Sequence, residues 1–230
     1  MNKLLSALFV LAVASVTGTA LAQTPAPAQA APAAGAKSIE AKVAMCIGCH
    51  GIKGYQASFP EVYKVPMIAG QSAKYITAAL VAYKQGDRKH PTMRGIADSL
   101  TEQDMADIAA YYEGLGKDPA AKVPEAADKT PSPQVAALLQ KAACVSCHGA
   151  NFSKPIDPSY PKLAGQHADY MFVALKAYKT ENNATVGRTN GVMGAIAKQF
   201  SNAELKALSA YVASLQGELK TVPDHRFRRP

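Results

Sequence analysis

Two short runs hold the residue types able to do chemistry. Cys46-Ile47-Gly48-Cys49-His50 and Cys144-Val145-Ser146-Cys147-His148 contain all four cysteines of the 230-residue chain, each pair followed directly by histidine. The spacing puts two sulfurs on one turn and lets the next residue swing an imidazole over whatever the sulfurs hold. It is the attachment signature of c-type haem: the thiols form thioethers to the porphyrin vinyls and the histidine becomes the proximal iron ligand. A thioredoxin-like redox pair needs a βαβ setting that is missing here, and does not require histidine after both pairs. A zinc site built from the four thiols would have to bridge both copies and would leave His50 and His148 unexplained. The expectation is two covalently attached haem c groups, bound through Cys46, Cys49, Cys144 and Cys147, with His50 and His148 on the irons.

The elements that position these runs occur twice. Met45–Gly51 recurs as Ala143–Gly149 at an offset of 98 residues, Pro66–Gln71 as Pro161–Gln166 at 95, and Ile96-Ala97 and Ala110-Tyr111 as Ile196-Ala197 and Ala210-Tyr211 at 100. The offset changes only between anchors, where loops gain or lose residues cheaply. Within each copy the periodicity is helical. Tyr75, Ile76, Ala79, Leu80 and Tyr83 share one face, with Ser72 as candidate N-cap, and Tyr170, Met171, Ala174, Leu175 and Tyr178 repeat it. Thr101-Glu102-Gln103-Asp104 and Ser201-Asn202-Ala203-Glu204 open a last helix in capping-box fashion. No alternating strand pattern stands out, so the expected fold is all-α: two homologous small helical bundles in tandem, each around a haem.

Methionine on the far side of a haem favours the reduced iron and gives an electron carrier, whereas an open position gives ligand binding or catalysis. The duplication selects among the methionines. Met45, Met67, Met105 and Met171 stand opposite Ala143, Lys162, Leu205 and Ile76, as replaceable packing would. Met93 alone has a methionine partner, Met193, both in Met-x-x-Ile-Ala ahead of the final helix. Met93 and Met193 are therefore the expected distal ligands. His90 lies near Met93, but its counterpart is Asn190, so it reads as a satisfied or solvent-exposed histidine; His167 and His225 also lack partners.

Residues 1–22, with Lys3, an apolar run over 4–16 and Ala20-Leu21-Ala22, read as a secretory signal peptide. An oxidising compartment would pair free thiols, and thioether attachment explains why four cysteines need not. Residues 23–37 form a Pro/Ala-rich tether and 117–133 a Pro-rich linker, leaving domains at 38–116 and 134–217 and a basic tail at 218–230. A net charge of +8 without basic blocks argues against nucleic acid as partner. Residues 37–122 carry 11 basic against 9 acidic side chains and 123–230 carry 13 against 8, a weak bias toward acidic partners, with the run His225–Pro230 expected to be solvated.

Tandem copies of Cys-x-x-Cys-His-Gly, Pro-x-x-Ala-Gly-Gln-x-x-x-Tyr, Met-x-x-Ile-Ala and Ala-x-Tyr resemble the cytochrome c4 family over residues 38–217. The resemblance implies two class I cytochrome c domains packed about a pseudo-twofold axis, with the haems close and both irons ligated by His and Met. It also implies a periplasmic dihaem carrier passing electrons from a quinol-oxidising complex toward a terminal oxidase, loosely membrane-associated in some members. By position Pro66 and Pro161 supply the carbonyls that accept the proximal imidazole N–H and orient it. The first copy departs from the second by three extra residues between His50 and Pro66. The competing readings are a dihaem enzyme, either a peroxidase or a dehydrogenase of a sulfur compound, and the electron-entry subunit of a larger oxidoreductase. The paired Met93 and Met193 speak against a peroxidase, which needs an iron that can open.

Overall fold

The computed structural model describes residues 37–120 and 122–224. The expected signal peptide, nearly all of the 23–37 tether and the last six residues of the tail lie outside them. The first half runs α1 (Ile39–His50), β1 (Gln56–Ala57), β2 (Tyr63–Lys64), α2 (Ala73–Gln85), β3 (Arg88–Lys89), α3 (Pro91–Asp98) and α4 (Glu102–Gly114). The second runs α5 (Pro133–Ala142), α6 (Val145–His148), α7 (Ala168–Lys179), β4 (Gly187–Arg188), α8 (Gly191–Ala197) and α9 (Asn202–Ser214). In each half the middle helix packs on the two that follow: α2 on α3 and α4, α7 on α8 and α9. The first helix of each, α1 or α5, lies against the last.

The helical faces bury as their periodicity requires. Ile76, Leu80, Met105 and Ile108 join Val43 and Ile47 in one core, and Leu205 and Leu208 join Val135, Leu138 and Phe200 in the other. Met105 and its counterpart Leu205 are both fully buried, as interchangeable packing should be. Both capping boxes form: Thr101 and Ser201 each accept from the third helical N–H, and Asp104 and Glu204 return a bond to the cap backbone. Lys42 on α1 ties this turn to its neighbour, pairing with Asp104 and Asp107.

Three features differ from the sequence reading. Ser72 stands at the N-cap of α2 but makes no cap bond, because its hydroxyl donates to the Pro158 carbonyl in the other half at 2.6 Å. Four strands appear among the described residues, each of two residues and too short for alternation to mark; β1 pairs with β2, and β3 with β4 across the two halves, antiparallel, with Arg88 opposite Arg188. The linker and the first residues of the basic tail are fastened down, whereas the His225–Pro230 run expected to be solvated lies outside the described residues. Pro124 and Lys129 accept from Asn151 and Tyr211, and Asp128 accepts from the Gln216 N–H. Residues 218–222 cross back to the first half, where Lys220 bridges to Ala69, Leu219 is buried and Val222 packs on the first core.

Gly70 makes that crossing possible. Its φ is +82°, and a Cβ there would meet the Glu218 carbonyl oxygen at 2.7 Å. Gly86, at φ +87°, ends α2 with nothing near. Gly86→Ala should therefore cost only the left-handed penalty, about 1 kcal/mol, and Gly70→Ala about 2–3 kcal/mol because the 218–222 strap must also shift. Denaturant unfolding of both variants, with hydrogen exchange at residues 218–222, checks the difference.

Candidate haem sites

Helix α1 runs unbroken through the first motif, so Cys46, Cys49 and His50, at i, i+3 and i+4, share one face. The second motif is built differently. Helix α5 stops at Ala142, Ala143 turns left-handed at φ 48°, and Cys144 and Cys147 then sit on the separate turn that ends with α6. All four thiols are free of disulfides. Burial pushes the Cys46 thiol up to about 11, the Tyr112 hydroxyl opposing it.

His50 Nδ1 lies 2.8 Å from the Pro66 carbonyl oxygen and His148 Nδ1 lies 3.1 Å from that of Pro161. A carbonyl can only accept, so each Nδ1 carries the proton and each Nε2 keeps a lone pair. Burial lowers both imidazole pKa values, against the pull of the proline carbonyls, so both rings are held neutral. A neutral ring with Nε2 free is the form that binds a metal.

Met93 and Met193 occupy the third position of α3 and α8. The N-cap residue of each helix accepts from the methionine's own N–H: His90 Nδ1 at 3.3 Å for Met93, Asn190 Oδ1 at 2.9 Å for Met193. His90 and Asn190, mismatched in sequence, are therefore equivalent in role. Since His90 Nδ1 accepts, its Nε2 carries the proton, and at 3.0 Å it donates to the Tyr63 oxygen. Both nitrogens are occupied, which removes His90 as a competing ligand.

One cavity of about 860 Å³ is lined by all ten expected site residues: Cys46, Cys49, His50, Pro66 and Met93 from the first half, and Cys144, Cys147, His148, Pro161 and Met193 from the second. Its walls are largely apolar, with Ile76, Leu80 and Ile96 on one side and Met171, Leu175 and Ile196 on the other. It also holds two residues that the sequence reading passed over. The Arg88 guanidinium lies over the rings of Tyr75 and Tyr83, 5.1 and 5.7 Å from their centroids, and donates to the Tyr75 hydroxyl at 3.1 Å. Arg188 does the same with Tyr170 and Tyr178 at 5.6 and 5.5 Å, donating to Tyr170 at 3.1 Å. No Asp or Glu lines the cavity, and neither arginine joins an ion pair among the described residues. Burial would raise the Tyr170 hydroxyl pKa, but Arg188 and Arg88 outweigh it and hold it below its ordinary value. A flat apolar ligand bearing carboxylates fits such a cavity. Haem is one, with a thioether-forming edge for the cysteines and two propionates for the guanidiniums. The signal for these arginines was available, since Arg88 and Arg188 recur at the same offset as Met93 and Met193.

A chain that builds this cradle twice on helical frames is a two-domain c-type cytochrome. The cytochrome c family pattern matches residues 32–115 and 134–216. Cytochrome c4 of Stutzerimonas stutzeri is 31% identical over 226 residues, which cover 94% of this chain and 100% of that protein. The crystal structure of reduced recombinant cytochrome c4 from Pseudomonas stutzeri superposes with a TM-score of 0.54 at 30% identity, covering 79% of this chain and 100% of that one. A Stutzerimonas stutzeri protein described as a thiosulfate dehydrogenase electron acceptor is 30% identical over 179 residues, 74% of this chain and 78% of that protein. The chain belongs to the cytochrome c4 family. It is a dihaem electron carrier with two covalently attached haem c groups, and an electron-transfer protein, not an enzyme.

The left-handed Ala143 holds backbone that glycine adopts more readily. Ala143→Gly should stabilise the holoprotein against denaturant by up to about 1 kcal/mol. Gly149→Ala should do the reverse, because at φ +80° its Cβ would fall 2.1 Å from the Lys154 oxygen.

Proposed function

We propose that the chain carries electrons in the periplasm from a quinol-oxidising complex toward a terminal oxidase, with one iron between His50 and Met93 and the other between His148 and Met193. Residues 38–116 and 134–217 would each enclose one haem. The observation that carries the ligation is the duplicated pair of devices: an imidazole whose Nδ1–H is committed to a proline carbonyl, and a methionine in the capped first turn of a short helix lining the same cavity. Bound haem supplies the one-electron Fe(III)/Fe(II) couple. The chain supplies a neutral proximal nitrogen, a thioether sulfur, apolar walls that exclude water, and two guanidiniums for the propionates. Iron that keeps six ligands in both oxidation states changes charge with little reorganisation, which suits a carrier.

A second donor class is favoured by the likeness to proteins described as thiosulfate dehydrogenase electron acceptors. On that reading the electrons come from a sulfur-compound dehydrogenase, and the chemistry at each iron is unchanged. Among the described residues no helix is long and apolar enough to cross a membrane. Export rests on residues 1–22.

Purified protein should carry two haems that survive acid–organic extraction, and Cys46→Ala with Cys49→Ala should leave one. Both ferrous haems should be low-spin and bind carbon monoxide slowly at neutral pH, without rapid peroxide turnover. Met93→Ala should open one of the two to carbon monoxide, seen as half the full spectral change. Ready carbon monoxide binding by the unaltered protein would refute the methionine ligation. Stopped-flow oxidation of a quinol-oxidising complex or of a thiosulfate dehydrogenase by the ferric protein separates the two donors.

A further inference from the structure

The peptide unit between Pro66 and Met67 is hydrogen-bonded at both ends. Its carbonyl accepts from His50 Nδ1 at 2.8 Å, and its N–H, on Met67, donates to Oε1 of Gln166 at 3.0 Å. The unit between Pro161 and Lys162 repeats the arrangement: its carbonyl accepts from His148 Nδ1 at 3.1 Å, and its N–H donates to Oε1 of Gln71 at 3.0 Å. Each glutamine also returns a bond from Nε2 to the following carbonyl, that of Met67 at 2.9 Å and that of Lys162 at 3.0 Å. Both glutamines are only 4% exposed, so their amides are held in one orientation.

The connection is crossed. Gln166 comes from the second half and backs the histidine of the first; Gln71 comes from the first half and backs the histidine of the second. An amide whose N–H donates a hydrogen bond is polarised, and its carbonyl becomes a better acceptor. A better acceptor draws the imidazole Nδ1 proton, makes Nε2 a stronger donor to iron and favours Fe(III) over Fe(II).

We infer that Gln71 and Gln166 are crossed positioning residues, Gln166 lowering the reduction potential of the haem bound by His50 and Gln71 that of the haem bound by His148. The inference rests on the proposed ligation by His50 and His148 and is independent of Met93 and Met193. A glutamine that served only to join the two halves would alter stability or move both haems alike.

The test uses the full-length protein with both haems attached. Gln166→Met and Gln71→Met keep side-chain length and remove the polar ends. Spectroelectrochemical titration resolves the two one-electron steps, and NMR contacts from each haem to its own cysteine assign them. Gln166→Met should raise the midpoint of the Cys46-linked haem, lowering its Fe(III)/Fe(II) ratio at fixed potential about threefold, where tenfold is 59 mV for one electron. The other haem should barely move, Gln71→Met should give the mirror result, and the His50 Nδ1–H resonance of the ferrous protein should move upfield in Gln166→Met alone. A larger shift in the glutamine's own half, equal shifts in both, or none would overturn the inference. Should loss of the amide loosen the halves, Gln166→Glu titrated at mildly acid pH keeps the geometry: the protonated carboxyl donates to the Met67 carbonyl as Nε2 does, while its C=O is a weaker acceptor than an amide oxygen for the Met67 N–H, so the first midpoint should rise while the second stays, and a fall or no shift counts against. Failure of the histidine ligation would show in the unaltered protein, where neither ferrous haem would have a coordinated imidazole; failure of the crossing shows only in the variants.

Discussion

The hydrogen bond from each haem-motif imidazole, His50 or His148, to a proline carbonyl is the point on which the rest of the structure converges. It fixes the tautomer, so it decides which nitrogen is left for a metal, and it works only if the loops 66–71 and 161–166 are immobile. Three independent ties hold them. The Gly70 N–H donates to the Tyr112 carbonyl and the Gly165 N–H to that of Val212, anchoring each loop to the last helix of its own half. The reciprocal glutamines anchor each loop to the other half. Lys220 adds the C-terminal strap to the first loop through the Ala69 carbonyl. The residues that orient the ligand and those that join the two halves are thus largely the same residues. A domain boundary built this way is part of each site.

Much of this was readable before any coordinates, for a physical reason: covalent attachment demands fixed spacing, and a duplicated chain shows twice what it needs. Cys-x-x-Cys-His, the helical faces and the capping boxes depend on residues at most four apart, where sequence and geometry are tightly linked. What escaped notice depends on residues about 90 to 100 apart. Gln71 and Gln166 were visible as repeated letters in Ala-Gly-Gln, but nothing local says that each reaches across to the other copy's backbone. Arg88 and Arg188 were equally visible at offset 100, but nothing local marks them as lining the haem cavity. The comparison of copies also hid one equivalence. His90 against Asn190 reads as a mismatch, yet an imidazole Nδ1 and an amide Oδ1 are both short-range acceptors, and either one caps the methionine helix.

The ties of the linker and of residues 218–222 escaped notice for a related reason. Pro-rich and charged stretches have little apolar surface, so composition gives no sign of what they attach to. Here they are held by backbone carbonyls, such as those of Pro124 and Lys129, meeting side chains of the second half, and composition does not report carbonyls. The strap at 218–222 adds two apolar anchors, Leu219 and Val222, too few for a periodicity to be noticed.

Duplication makes the two sites alike, and the differences between them gain meaning against that background. Arg88 and Arg188 face one another across a two-residue ribbon and line a single cavity, so their charges act on both haems and move both potentials in the same direction. Charge gained at one haem would likewise be felt at the other through the shared, largely apolar cavity. Neither effect distinguishes the sites. Separation of the two potentials has to come from places where the copies depart from each other. Two such places lie against the thioether attachments. Cys46 lies within a continuous helix and faces the buried Tyr112 hydroxyl, whereas Cys144 follows a left-handed alanine and the residue equivalent to Tyr112 is Val212. A hydroxyl dipole at one attachment sulfur and an aliphatic side chain in its place at the other give the two macrocycles different surroundings at the same chemical position. If transfer between the two haems has a direction, differences of this kind, set against otherwise duplicated sites, are where it has to originate.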